Sequence, residues 1–338
     1  MERIVIWGAG AIGGVVGAWL AHAGLDPLLV DQNADHVAAM RERGLTITGT
    51  RGSFTQPVRA STPDEVQGPL ETVYLAVKCP STPGALEAIA PRLAAESRVV
   101  SLQNGLNELV IGERIGVERT IGCFVHFSAD WQSPGVIEHG GEHPIFVGEL
   151  DGRSTPRLEE IRSTLATFGE TVATDNVWGY LWSKLGYASL LFATALIDAP
   201  IYDTLRAPDV GPTLYRLVQE SLSVPDRLGV RLEDIKGFQP GRYRGDDWRP
   251  AIEDVATFYE GQIKVKTGIW RDLAVRHRPT EVDCQIGALA RRGRELGLSM
   301  PRNERLVALI HELEAGTRPM ALDNVGELAM AGDAASTT

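Results

Sequence analysis

Short β-branched runs alternate with helix-like stretches up to about residue 150, and only helix-like stretches follow, which predicts an α/β domain joined to an all-helical one. Two further observations specify the first domain. The apolar run Arg3-Ile-Val-Ile-Trp7 breaks into the turn Gly8-Ala-Gly10-Ala11-Ile12-Gly13, and a second apolar run ends in Asp31, 18 residues after Gly13. Together they make the α/β part Rossmann-type, an N-terminal domain over 1–172, followed by an all-helical C-terminal domain over 173–330 and a small, polar tail over 331–338 that is expected to be disordered. A chain of 338 residues has room for two domains of the usual ~100–200 residues.

The elements follow in order: strand 4–7, helix 15–23, strand 28–30, helix 34–43, strand 73–77, helix 84–93 and strand 99–102. This alternation predicts parallel strands with crossover helices and a nucleotide across the carboxyl ends of the strands. Runs at 120–127, 136–138 and 145–148 read as an extension of the same sheet. Beyond Pro156, helices are expected over 157–168, 177–196, 210–229, 248–264, 281–296 and 303–315, with no strand of comparable strength. Residues 238–250, punctuated by glycine and proline, read as a loop that either covers a site or links at the surface.

Each glycine of the turn has its own reason. Gly8 serves a tight strand-to-helix turn, Gly10 lets backbone approach a pyrophosphate, and Gly13 lets helix lie close on strand. Ala11 and Ile12 complete the turn, where N–H groups without intrahelical partners face the phosphates. The Asp31 carboxylate accepts hydrogen bonds from a ribose 2′-hydroxyl and repels a 2′-phosphate, while Gln32, Asn33 and Ala34 supply no cation. The site therefore reads as NAD, with NADP disfavoured. The alternative is that Asp31 only caps the helix beginning near Ala34.

A net charge of -11 argues against nucleic acid or an anionic membrane as partner. No basic segment with an apolar core opens the chain, and no run approaches the ~20 apolar residues that span a bilayer. Cys79, Cys123 and Cys284 are far apart and lack C-x-x-C pairing, so a cytoplasmic location is expected. His126, His139 and His143 lie close in sequence, but His139-Gly-Gly-Glu-His143 cannot hold a helical ligand register, and no metal is expected.

Two later segments carry candidate chemistry: Trp182-Ser183-Lys184-Leu185, and Arg278-Pro-Thr-Glu281-Val-Asp283 with Gly287 shortly after. With the Gly8–Gly13 turn, Val77-Lys78 and Leu102-Gln103-Asn104-Gly105, they resemble the ketopantoate reductase (2-dehydropantoate 2-reductase) family from residue 3 to about Ala315. The resemblance implies Lys184 as catalytic acid, Glu281 near the substrate, and Asn104 near the nicotinamide ribose and substrate. It implies for Lys78 a grip on the adenosine phosphate of NADP-using relatives, a role that Asp31 argues against here. The chemistry asks for such a pair. Hydride delivered to a 2-oxo acid develops charge on oxygen, which an ammonium polarises and then protonates, while a carboxylate fixes that ammonium. Read without the resemblance, Lys184 is a helix-surface cation, Glu281 an acid in the first turn of a helix and Asn104 a turn former.

The departures from the family pattern concern the substrate. Ala188 stands where members commonly have asparagine, and Thr267-Gly268-Ile269 replaces Ser-Ser-Met, leaving glycine at the carboxylate contact. The interval from Asp272 to Thr280 is also one residue longer. Losing two donors implies another substrate or new contacts. A helix over 264–275 would set Lys264, Thr267, Gly268 and Arg271 on one face, where Arg271 could clamp a carboxylate and Gly268 leaves room for bulk. The same face could instead be solvated, with Asp272–Arg276 ion pairs. The expected activity is interconversion of a 2-oxo acid, or a related hydroxy-carbonyl compound, and its hydroxy form with NAD. The alternatives are ketopantoate reductase itself and a non-catalytic NAD(H) sensor; a homodimer through the helical domain is compatible with such folds.

Overall fold

The computed structural model describes residues 2–141, 143–262 and 264–336, and the chain divides into two compact units, Met1–Val177 and Trp178–Thr338. The first contains, in order, β1 (Glu2–Trp7), α1 (Ala11–His22), β2 (Leu28–Val30), α2 (Ala34–Arg43), β3 (Leu45–Gly49), β4 (Phe54–Gln56), β5 (Arg59–Ser61), β6 (Leu70–Leu75), α3 (Thr82–Ile89) and β7 (Leu93–Ser101). It continues with α4 (Asn107–Ile115), β8 (Thr120–Phe124), β9 (Ala129–Ser133), β10 (Val136–His139), β11 (Ile145–Glu149), α5 (Pro156–Ala166) and β12 (Thr171–Ala173).

The main sheet runs β5-β2-β1-β6-β7-β8-β11-β12, parallel except where β11 meets β8. From β1 the chain goes to β2 on one side and later to β6 on the other, so the switch in strand order lies between β1 and β6. Both faces of the sheet are covered, as a parallel sheet requires: Ile6 and Tyr74 face one core, while Val5, Trp7, Val73 and Leu75 face the other, with period two. Because β12 pairs with β11, residues 171–173 belong to this unit, and the division falls later than the expected 172.

The expected extension of the main sheet holds only for β8 and β11. β10 joins a second sheet, β4-β3-β10-β9, whose strands β3 and β4 the sequence analysis does not assign. They are short, and β4 has no fully buried residue to give a pattern.

Between the two sheets lies α1, whose glycines face both. A Cβ on Gly13 would collide with the Gly8 carbonyl and come within 2.9 Å of Ile6 and Ala76; one on Gly14 would collide with Ile137 of β10. With Val15, Val16, Ala18 and Leu20 also buried, the helix is apolar all round, as a helix enclosed on both sides must be.

The second unit holds α6 (Val177–Thr194), α7 (Ile201–Arg206), α8 (Val210–Arg227), α9 (Arg249–Glu260), α10 (Gly268–Ala274), α11 (Ile286–Glu295), α12 (Pro301–Glu314) and α13 (Asp323–Ser336). Five expectations are corrected here. The helix expected to reach 264 ends at Glu260, and α10 starts only at Gly268, where the Thr267 hydroxyl caps it by accepting the Trp270 N–H at 2.9 Å. The helix expected from 281 starts at Ile286.

The tail expected to be disordered from 331 is helical to Ser336. Asn324 ties the start of α13 to the Leu196 and Pro319 carbonyls at 3.0 Å, Val325 and Leu328 are buried, and alanines favour the helix. The 238–250 segment is not a loose linker. Phe238 and Tyr243 are buried, with Phe238 stacked on Tyr187 of α6 and Tyr243 on Tyr215 of α8. Among the described residues no helix is long and apolar enough to cross a membrane.

Candidate active site

Four predicted cofactor segments come together at one edge of the main sheet. The Gly8–Gly13 turn follows β1, Asp31 follows β2, Lys78 lies three residues past β6, and Asn104 lies three past β7. These strands are mutually parallel, so all four segments leave from carboxyl ends, where nucleotides bind. Hydrogen bonds fix the ends against each other: Gly8 N–H to Val30 O at 2.8 Å, Ala76 N–H to Trp7 O at 2.8 Å, and Leu102 N–H to Leu75 O at 2.8 Å.

The turn has the form that a dinucleotide needs. Gly8 has φ +100°, and a Cβ there would come within 2.6 Å of the Val77 nitrogen across the switch point. Gly10, the residue ahead of α1, differs: a Cβ would meet nothing within 4 Å. The space beside it is open, so packing of the protein does not require its glycine. Ala11 and Ile12 open the first turn of α1, where N–H groups lack intrahelical partners, and both residues are half-buried. A dinucleotide pyrophosphate fits this cradle.

Asp31 does not cap α2. That place belongs to Asn33, whose side chain accepts the His36 N–H at 3.1 Å, while Asp31 Oδ1 accepts the Asn33 N–H at 2.9 Å. Nearby cations have acidic partners: Arg41 of α2 pairs with Glu65, and Arg59 of β5 lies 3.2 Å from Asp26.

One residue of this region escapes sequence reasoning. His36, fully buried, accepts the Gly135 N–H on Nδ1 at 2.9 Å and lies 2.9 Å from Ala9 O through Nε2. Accepting on one nitrogen and donating from the other, it is the neutral Nε2–H tautomer. It ties α2 and the glycine turn to the β9–β10 turn. The only signal in the sequence is its place on the face of α2 that also buries Val37 and Met40.

Asn104 is exposed, and its turn is held from beneath: buried Gln103 donates to Val77 O at 2.8 Å and Asn107 donates to Asn104 O at 2.7 Å. Gly105, at φ +86°, completes the turn, so Asn104 sits in a turn and at the site edge at once. Lys78 is exposed at the start of a short 3-10 turn, Cys79–Ser81.

In the second unit, Lys184 lies on α6. Over residues 179–196 only Tyr180, Lys184, Ala188 and Leu191 are half-buried, and every other residue is buried. Steps of four, four and three place them on one face, so Lys184 and Ala188 share the only partly open stripe of this stretch. Ser183 anchors the lysine's turn, accepting the Glu233 N–H at 3.2 Å.

Gly268 is the first residue of α10, exposed, with nothing within 4 Å of a would-be Cβ, and Arg271 is half-buried one turn on. Lys264 precedes the helix and is not on that face. Asp272 accepts from Arg276 at 3.4 Å and Arg278 at 2.8 Å, which realises the ion pair expected of the alternative. Within the lengthened interval, His277 adopts a left-handed conformation, φ +47°. Glu281 is half-buried in the turn ahead of α11, not on its first helical turn, and its carbonyl accepts the Gln285 N–H at 3.1 Å.

A doubly covered parallel sheet with its glycine turn at the switch point, followed by an all-helical unit, defines a nicotinamide-dependent dehydrogenase/reductase. Comparison with known proteins agrees. Residues 4–152 match the family model described as ketopantoate reductase PanE/ApbA, and residues 176–314 match the model of its C-terminal region. A 2-dehydropantoate 2-reductase of Pyrococcus horikoshii is 34% identical, with 93% of this chain and 98% of that protein covered. One from Mesorhizobium japonicum is 28% identical, with 92% and 97% covered.

Among solved structures, a ketopantoate reductase from Ralstonia eutropha JMP134 aligns with a TM-score of 0.80 at 27% identity, covering 93% of this chain and 99% of that one. A D-mandelate dehydrogenase solved with NADH and anilino(oxo)acetate shares the fold, with a TM-score of 0.79 at 21% identity over 93% and 99% of the two chains. The chain belongs to the ketopantoate reductase family.

Two predictions separate cradle from scaffold. Gly10→Ala should keep the parent's melting temperature, because the added Cβ meets nothing within 4 Å, yet lose about tenfold or more in NADH affinity by fluorescence titration, some 1.4 kcal/mol. Gly13→Ala should lower the melting temperature itself. His36→Ala should cost about 1–3 kcal/mol in urea unfolding, the penalty for stranding buried partners, and weaken NADH binding as well; unchanged binding would show that the glycine turn does not depend on the imidazole.

Proposed function

We propose that the chain is an NAD-dependent oxidoreductase that interconverts a 2-oxo acid and its 2-hydroxy form, with Lys184 as general acid/base. The observation that carries this reading is the convergence of the glycine turn, Asp31 and Asn104 on one sheet edge, in a chain that also keeps a lysine on the open stripe of α6. A bound nicotinamide would give hydride to, or take it from, the carbon that bears the oxygen. The residues do the rest. In reduction the Lys184 ammonium polarises the carbonyl and gives its proton as the oxygen gains charge; in oxidation the neutral amine takes the hydroxyl proton. The balance is one hydride and one proton onto the C=O, giving CH–OH.

Glu281 supplies the charge that orients the ammonium or the substrate. Asn104 offers its amide to the nicotinamide end, Asp31 holds the adenosine ribose, and the turn from Gly8 through Gly10, Ala11 and Ile12 to Gly13 holds the pyrophosphate. Lys78, exposed at the same edge, is left to the phosphates. Arg271, on the helix that Gly268 opens, clamps the substrate carboxylate in place of the two donors that the family pattern would supply. With Ala188 and Gly268 both small, the preferred substrate is bulkier than ketopantoate.

A second reading, ketopantoate reductase itself, is favoured by the names of the relatives. The non-catalytic sensor is disfavoured by the retention of both Lys184 and Glu281.

A panel of 2-oxo acids of graded bulk, from pyruvate through ketopantoate to phenylglyoxylate, decides between the two enzyme readings by kcat/KM. Ketopantoate at the top would establish the second. In the best pair Lys184→Ala should lower kcat by about two to four powers of ten, the usual loss for a general acid, with the Kd for NADH nearly unchanged; wild-type turnover removes the mechanism. NADH should exceed NADPH in kcat/KM, and the reverse order refutes the role given to Asp31.

A further inference from the structure

The Glu281 segment is held from α12. Glu314, the last residue of that helix, accepts on Oε1 both the Thr280 N–H at 2.7 Å and the Thr280 hydroxyl at 2.8 Å. The hydroxyl oxygen in turn accepts the Val282 N–H at 3.2 Å. His311, one turn earlier on α12, lies 2.9 Å from Glu314 Oε2 through Nδ1 and 2.9 Å from Asp283 Oδ1 through Nε2. Thus the residue before Glu281 and the second residue after it are both tied to the same helical turn.

A histidine with a carboxylate at each ring nitrogen donates from both only as imidazolium. Burial opposes that charge, but Glu314 and Asp283, the charged groups that face the ring among the described residues, outweigh it and raise the His311 pKa. The cation also sits in the last turn of α12, where the helix dipole favours it. α12 is itself well anchored: Glu220 of α8 caps its start, accepting the Arg302 and Asn303 N–H groups at 3.2 and 2.9 Å.

We infer that Glu314 and His311 form a strut that sets the position of Thr280–Asp283, and therefore of Glu281, making both positioning residues for the hydride-transfer reaction. The inference rests on the reading of Glu281 as a site residue. Its consequence is that a change in the last turn of α12 reaches the chemistry without touching cofactor or substrate. A carboxylate that drifts by about 1 Å can cost up to a hundredfold in rate.

The test compares Glu281→Gln, Glu314→Ala, Glu314→Gln and His311→Ala in the full chain, with NADH and the 2-oxo acid of the panel that turns over fastest. Glu281→Gln should lower kcat; if it does not, the reading of Glu281 and the strut fall together. Given that loss, Glu314→Ala should lower kcat by about ten- to a hundredfold, with the Kd for NADH within twofold. Glu314→Gln should recover most of the activity, since its amide oxygen still accepts both Thr280 donors.

A Glu314→Ala protein with a lower melting temperature but parental kcat overturns the strut alone, as does a glutamine variant no better than alanine. If Glu314→Ala does not fold, His311→Ala decides, because the imidazole is 45% exposed and its loss leaves the helix intact: parental kcat overturns the inference, and a fall at unchanged NADH affinity supports it. In the parent, the imidazolium's contribution is complete below the ordinary histidine value of 6.5 and is lost as pH rises through the raised one. That sigmoid in melting temperature should vanish in His311→Ala.

Discussion

Everything in the nucleotide-binding unit depends on how closely α1 can lie against two sheets at once. Gly13 admits the Gly8 carbonyl and the side chains of Ile6 and Ala76; Gly14 admits Ile137 on the opposite face; a Cβ on Gly17 would come within 3.0 Å of Leu29. A methyl group at either of the first two would displace backbone or core rather than a flexible side-chain tip, and interiors packed to crystal density do not absorb that. The close approach sets where α1 begins, and the beginning of α1 is where N–H groups without intrahelical partners face the crevice between β1 and β6. Of the glycines in the turn, Gly10 alone is free of this packing constraint, which leaves the space beside it open.

The two units were legible in the sequence to different degrees. In the first, strong β-branched runs and the 3.6-residue pattern mark β1, β2, α2 and the parallel core, because a strand buried on both faces writes a continuous apolar run. The second sheet left little trace. β3 and β4 are short and partly exposed, and β10 was assigned to the wrong sheet because a pattern of alternation states that a strand is half-buried but not against what. The pair Gly13-Gly14 held the missing information: a second glycine beside the one the turn requires marks a second packed surface.

In the helical unit α6, α8 and α12 are legible in the sequence, while α9 ends early, α10 and α11 start late, and the pattern does not mark α7 and α13. Thr267 is the reason in one case. Its cap fixes α10 at Gly268, so the face expected from 264 loses Lys264, and only Thr267, Gly268 and Arg271 remain of it. Lys184 is legible through its neighbours in sequence, and it shares with Ala188 the one stripe of 179–196 that stays partly open. His36 and Glu314 could not be read from spacing, since each acts through backbone groups far away in the chain, at Gly135 and Ala9 in one case and Thr280 in the other.

On the proposed reading, specificity turns on two small residues, Ala188 of α6 and Gly268 at the start of α10. If those positions line the substrate site as the resemblance implies, the site lacks two donors of the family pattern and cannot select through them. The most direct test of the central claim is a crystal structure of the full chain with NAD⁺. The account predicts the pyrophosphate against the N–H groups of Gly10 to Ile12 and the adenosine ribose hydroxyls on Asp31 Oδ2. A dinucleotide seated with its ribose away from Asp31, or its phosphates away from the glycine turn, would contradict it.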